Sequence, residues 1–243
     1  SHSAARIFGL TDRGLLAPGW RADIALIDSL EECRVSDVVA AGRLVGADLF
    51  AARKPVEPVG LTSMKSKPVT ADDFIVPVRS DRNQTPVIGV KPGLILTFRE
   101  SATLASGDRG TLPDLANDIL KVTVIERHGR NGNIGRGFVK GFGLKRGAIA
   151  SSVGHDSHNI TVIGATDEDM AVAVNRLIEL KGGFVVSDGG RVTAELALPI
   201  AGLMSPKPFE AVTHDLHALR DAAYALDCVL PEPFLQVAFL ALP

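Results

Sequence analysis

The densest proton chemistry in the sequence is the run His155-Asp156-Ser157-His158. Imidazole titrates near neutrality and ligates metals when neutral, so two histidines around a carboxylate suit proton transfer or coordination. His155, Asp156 and His158 are therefore candidate catalytic residues. On an extended chain the two rings, an odd step apart, point to opposite sides; on one helical turn they share a face. The plainer reading is a hydrogen-bonded turn in which Asp156 accepts backbone N–H groups. A second cluster, Glu126-Arg127-His128, opens a polar string that runs to Asn133 and supplies Glu126 and His128 as candidate substrate-binding residues. The glycine-rich, basic stretch 132–147 follows. It lacks both the G-x-G-x-x-G spacing and a Walker lysine followed by Ser or Thr, so it reads as a loop whose glycines allow close packing. Its Arg136, Lys140, Lys145 and Arg146 are expected in solvent or paired with acids.

These clusters need strands to position them. The stretch 121–126 reads as a strand running into the first cluster, 148–153 as one leading to the histidines, and 160–164 as one leaving them. Thr166 before Asp167-Glu168-Asp169 is a helix start, a hydroxyl cap with three acids at the positive end of the helix dipole. Met170, Val174, Leu177 and Ile178 share one face of that helix, which Gly182 closes. Residues 184–187 and 191–198 form a hairpin around Asp188-Gly189. A last helix from about Pro208 carries Phe209, Val212, Leu216, Leu219, Ala223 and Leu226 at three-four spacing, a core-packing stripe, with His214 and His217 at the surface. The run 234–242 is apolar. Upstream, strands are predicted at 74–78, 87–90 and 94–98, with Pro77 confining the first to an edge or bulge.

The first fifty residues have a different character. A helix tail at 4–10 stops at Gly9, a strand at 22–27 is apolar enough to be buried on both faces, and a hairpin at 35–45 turns at Ala41-Gly42-Arg43. So few strands cannot bury a core of their own, and the unit needs partners from elsewhere. Pro55, Pro58 and Pro68 mark a connection. The chain thus divides into a β-segment at 1–52, a linker at 53–70 and a domain at 71–243. Its fold class is a mixed α+β or α/β one: a small β-sandwich piece, then a mixed sheet-and-helix domain. Both ends read as cut.

Composition sets outer limits. An apolar fraction of 46% with 22% charged residues belongs to a folded chain rather than a disordered one. A net charge of -2 gives no reason to expect capture of nucleic acid or of an anionic membrane. No stretch approaches the roughly 20 apolar residues of a membrane span, and the start lacks the pattern of a secretory signal. Cys33 and Cys228 read as two buried, reduced thiols of a cytoplasmic protein. The sequence holds no His-x-His pair, so a catalytic metal site cannot be assembled from it with its six histidines.

Two sets of residues carry a family resemblance. The run from Arg6-Ile7-Phe8-Gly9-Leu10 through Asp12-Arg13-Gly14, Ala17-Pro18-Gly19 and Ala22-Asp23-Ile24 resembles the segment that leaves the last barrel unit of amidohydrolase-superfamily enzymes. Glu126-Arg127-His128, the runs 132–135, 137–144 and 146–150, His155-Asp156-Ser157-His158-Asn159 and the run 198–205 are similar, in that order, to the C-terminal domain of adenine deaminases. The resemblance implies a parent enzyme of purine salvage that hydrolyses adenine to hypoxanthine and ammonia. It implies a (β/α)8 barrel, absent from these residues, that holds a divalent metal pair, manganese or iron with zinc a further option. Hydroxide bridging the pair would attack the purine, and this segment alone would bind no metal. The loops at Glu126, His128 and His155 to His158 would approach the barrel mouth as a lid or wall. Adenine as substrate, the missing barrel as partner, no nucleic acid, no membrane and a homo-oligomeric state complete the expectation. Alternatives are a segment of another amidohydrolase acting on cyclic amides, or a non-catalytic binding or assembly module.

Overall fold

Two compact units divide the chain in the computed structural model, Ser1–Glu57 and Pro58–Pro243. All residues are described but Ala52, Arg53, Pro55, 79–83, Leu242 and Pro243. The linker proline Pro55 and the end of the C-terminal apolar run therefore lie outside the described residues.

In the first unit α1 (His2–Ile7) closes at Gly9, as predicted. At φ 70° Gly9 lets its own N–H and that of Leu10 turn back to the carbonyls of Arg6 and Ala5, at 3.1 and 2.8 Å. Strands β1 (Ile24–Ser29), β2 (Arg34–Ala40) and β3 (Arg43–Leu44) form an antiparallel sheet in that order. Ala41 and Gly42 both have positive φ, the pairing a two-residue hairpin turn requires, and the Ala41 N–H donates to Asp23 Oδ1 at 2.7 Å. The short α2 (Asp48–Ala51) follows. Two expectations are corrected here. The described residues of this unit form one sheet and no sandwich. The strand expected to be buried on both faces leaves Leu26 and Ile27 exposed by 47% and 46%, because the described residues of this unit supply no second sheet to the three strands.

The second unit opens on a 3-10 turn, Ala71–Phe74, set by a reciprocal cap between Thr70 and Asp73 that drives Phe74 fully into the core. That cap takes Phe74 out of the strand expected at 74–78, of which only Val76 pairs, in a single bridge to Thr111. Strands β4 (Thr85–Gly89) and β5 (Phe98–Ala102) follow. The strand expected at 94–98 starts only at its last residue, since the Leu94 N–H turns back to the Lys91 carbonyl at 3.2 Å. After the two-residue pair β6 (Ser106–Gly107) and β7 (Gly110–Thr111) come β8 (Ile119–Ile125), β9 (Ile134–Lys140), β10 (Ala148–Ser151) and β11 (Ile160–Gly164). Helix α3 (Asp167–Glu179), β12 (Gly183–Asp188), β13 (Arg191–Ala197), α4 (Phe209–Ala225) and α5 (Pro233–Phe239) complete the chain. The stretch 132–147, expected as a loop, contains β9, paired with β8 along seven residues. Gly135 and Gly137 sit within that strand, so glycine content hid it.

Eight strands make one sheet in the order β13-β12-β10-β11-β8-β9-β4-β5, antiparallel except where β4 meets β9, and the ends do not close into a barrel. Both faces are covered. Met170, Ala173, Val174 and Leu177 of α3 pack on one face with Ile125, Ala150, Ile160 and Val162. On the other, Leu219 and Ala223 of α4 and Phe234 and Val237 of α5 pack with Leu120, Val122, Ile149 and Ile163. Phe209, predicted to belong to the α4 stripe, is 72% exposed at its first position. Thr166 caps α3 through the Asp169 N–H at 3.2 Å, and buried Lys121 of β8 meets Asp167 at 2.6 Å. Both cysteines are free, but only Cys228 is buried; Cys33, expected inside, lies exposed in a turn of the first unit. Among the described residues no helix is long and apolar enough to cross a membrane.

Candidate functional site

Strand register brings the two predicted clusters together. Ile125 at the end of β8 lies opposite Ile160 at the start of β11, so the residues after the one run beside the residues before the other. Loop 126–133 joins β8 to β9, loop 152–159 joins β10 to β11, and a turn at 200–204 follows β13. All three sit at one end of the sheet, where side-chain hydrogen bonds shape them and tie them together.

Glu126 gathers backbone donors. Its Oε1 accepts the His128 N–H at 2.5 Å, and its Oε2 accepts those of Arg130 and Gly132 at 3.1 Å and Asn131 at 3.4 Å. Burial pushes this carboxyl up, but the four N–H groups outweigh it and hold the pKa below the usual glutamate range. Both oxygens are thereby engaged in shaping the loop. His128 is exposed and places Nε2 2.9 Å from the Ser157 carbonyl, which ties one loop to the other.

Arg127 gathers acceptors. It is only 1% exposed, and burial lowers its pKa from that of a free guanidinium. Its Nε donates to the His158 carbonyl and its Nη2 to the Ala201 carbonyl at 2.9 Å. The Arg127 carbonyl in turn accepts the Lys65 N–H at 2.8 Å. Arg127 is the site residue whose weight the sequence reading missed. Parity along β8 did not single it out: the strand positions in step with it are Lys121, Thr123 and Ile125, buried whether polar or apolar, and the strand ends at Ile125.

The histidine loop is a tight turn, as the plainer reading expected, but Asp156 is not its cap. The Ser157 N–H reaches back to the His155 carbonyl at 3.0 Å around Asp156, whose φ is 66°. The Asp156 carboxylate lies 3.0 Å from His155 Nδ1. A proton held on Nδ1 leaves Nε2 as the ring's acceptor, the tautomer a general base requires. His155 is half exposed; its N–H donates to the Ala238 carbonyl at 2.7 Å and its ring lies 5.4 Å from that of Phe239. His158 faces other work: φ is 48°, and Nδ1 lies 3.4 Å from the Gly154 N–H, which requires Nδ1 to accept. The two Nδ1 atoms thus face opposite partners within one turn, a carboxylate oxygen at His155 and a backbone N–H at His158.

Beside Glu126 lies an open cleft of about 550 Å³ flanked by Lys65, Lys67 and Arg130. A more apolar cleft of about 460 Å³ between β4, β5 and β9, lined by Val87, Phe98 and Phe138, contains none of the candidate residues. We therefore place no chemistry in the latter, though it is the greasier of the two. Of the basic residues expected in solvent or paired, Arg146 meets Asp188 at 2.8 Å and Lys140 meets Glu100 at 3.7 Å. His214 and His217 are exposed on α4. Among the described residues no three His, Cys, Asp or Glu side chains converge, and the imidazoles of His155 and His158 each have Nδ1 engaged. These residues do not fit a divalent metal pair, and no step is routed through one.

The unit that carries the loops is a mixed-sheet domain covered on both faces, with polar loops gathered at one end. Residues 94–243 match the family of the adenine deaminase C-terminal domain. The whole chain aligns with adenine deaminase 1 of Agrobacterium fabrum at 61% identity, covering 42% of that protein. It aligns with the adenine deaminases of Sinorhizobium fredii at 61% and Brucella abortus at 58%, covering 43% and 42% of them. The chain belongs to the adenine deaminase family, of which it carries the C-terminal portion. It spans about two fifths of the length of the relatives it matches.

Proposed function

We propose that the protein to which this chain belongs hydrolyses adenine, taking up water and releasing hypoxanthine and ammonia. The loops at Glu126 and His155 would form one wall of its reacting site. The observation that carries this reading is the identity of 61% along all 243 residues to a protein named adenine deaminase. The gathering of the polar loops at one end of the sheet supports the second part. In this reading His155, oriented by Asp156, accepts and returns a proton at Nε2 as the amine departs. Glu126 and Arg127 fix the loops, and His128 stands at the rim where a purine edge would pass. The residues that activate water would lie in the part of the protein outside this chain.

The test is hypoxanthine and ammonia release by the full-length protein. His155→Ala is expected to lower kcat by about 100-fold, the common size of a lost acid–base group, with circular dichroism unchanged. Unchanged turnover would remove the loop from the site. Absence of hypoxanthine from the unsubstituted protein would remove the reaction itself.

A further inference from the structure

We propose that Arg127 is the positioning residue of this site, its buried guanidinium holding loop 155–158 in the shape that presents the His155–Asp156 pair. The inference rests on reading that loop as the substrate-facing one. A guanidinium at 1% exposure with no carboxylate within ion-pair distance among the described residues is an expensive choice, which an apolar side chain would avoid. What it supplies is two charged donors aimed at two backbone carbonyls, those of His158 and Ala201. Both acceptors belong to non-glycine residues held at positive φ, 48° and 57°, a conformation an L residue leaves unless its surroundings over-determine it. The guanidinium is what over-determines them. Asp156, two residues before His158, shares the strain at φ 66°.

The neighbours agree. A methyl group on Gly202 would lie 2.7 Å from Nη1, so the backbone of the 200–204 turn rests directly on the guanidinium. From its other side Ser152 Oγ donates to the Gly202 carbonyl at 2.7 Å. Nη1 itself is buried without a hydrogen-bond partner among the described residues, so the group is placed to reach two carbonyls at the expense of its third nitrogen. The effect on catalysis passes through the backbone: His158 is anchored, and the turn at Asp156 and His155 follows.

The experiment uses the full-length protein with Arg127→Met and Arg127→Lys, read by amide hydrogen exchange and by adenine turnover. Arg127→Met is expected to speed exchange at least tenfold in both 154–159 and 200–204, to leave α3 and β12 protected, and to lower kcat at least tenfold. Arg127→Lys, able to reach one carbonyl but not both, should recover part of each loss. Unchanged exchange in either segment would overturn the proposal, as would a rise spread over the whole domain, which is the mark of general core packing. Faster exchange confined to the two segments with undiminished turnover would uphold the anchoring but sink the substrate-facing reading of the loop. Should Arg127→Met yield no folded protein, Arg127→Lys alone decides, by whether its exchange rises in those two segments and nowhere else.

Discussion

Glu126 and Arg127 are chain neighbours that solve one problem with opposite charges. At the end of β8 the sheet ladder stops, and the backbone groups of the loops lose their partners. Glu126 collects four N–H groups of its own loop, all within six residues. Arg127 collects carbonyls 31 and 74 residues away. The carboxylate shapes one loop at the surface, while the guanidinium joins separate loops inside. Local and long-range order at this end of the sheet thus rest on different side chains, and they should fail separately.

The sharpest way to break the long-range half is Arg127→Ala. It removes a large buried side chain and leaves two carbonyls without donors, a loss of about 3–5 kcal/mol by analogy with large-to-small core changes. The melting temperature of the intact protein should fall, with opening concentrated in 154–159 and 200–204. A loss no greater than that of an exposed arginine would erase the contrast. Ser152→Ala is the milder form of the same test. Its buried hydroxyl donates to the Gly202 carbonyl and accepts the Gly183 N–H, each at 2.7 Å. Removing it should cost about 1–3 kcal/mol, seen as faster exchange at Gly183 and in the 200–204 turn, with loop 126–133 unaffected.

The local half is tested by pH. The Glu126 pKa is lowered in the folded chain, so its contribution to stability is complete above the ordinary glutamate range. That contribution is lost as pH falls through the lowered value. Protection of the 128–133 amides, taken as exchange relative to the free-peptide rate at the same pH, should therefore fall on acidification below that ordinary range, and Glu126→Gln should show the lower protection already at neutral pH. A pH profile for 128–133 identical in the two proteins would show that the carboxylate does not hold the loop.

The same division explains what the sequence disclosed. Local signals were legible: Gly9 ending α1, Ala41-Gly42 turning the hairpin, Thr166 capping α3, and the apolar runs that became β8, β10 and β11. Strand β9 was not, because Gly135 and Gly137 carry no apolar pattern and owe their conformation to seven pairings with β8. Nor was the exposure of Leu26 and Ile27, since periodicity states what a strand could bury and not whether a layer exists to bury it. At the site, the nearness of Glu126-Arg127-His128 to the histidine turn follows from the pairing of Ile125 with Ile160, a long-range fact. Asp156 was expected as a backbone cap because Asp commonly serves so in turns; the positive φ at Asp156 turns its carboxylate to His155 instead.

The smallest expected effect belongs to His128→Ala, and it separates two roles for an exposed side chain that, like Arg127, reaches from one loop to the other. His128 is exposed and makes one contact, Nε2 to the Ser157 carbonyl at 2.9 Å. A single solvent-screened hydrogen bond contributes no more than about 1 kcal/mol, so the melting temperature should scarcely move and exchange at 155–158 should rise less than tenfold. Under the proposed adenine hydrolysis by the full-length protein, a ring that only fastens the loops should leave KM for adenine as it was and lower kcat slightly as the His155–Asp156 pair loosens. If it also meets the purine, KM should rise several-fold while exchange stays as it was. A change in neither would leave Arg127, among the described residues, as the side chain that ties the histidine turn to the end of β8, and the comparison would then rest on the buried guanidinium.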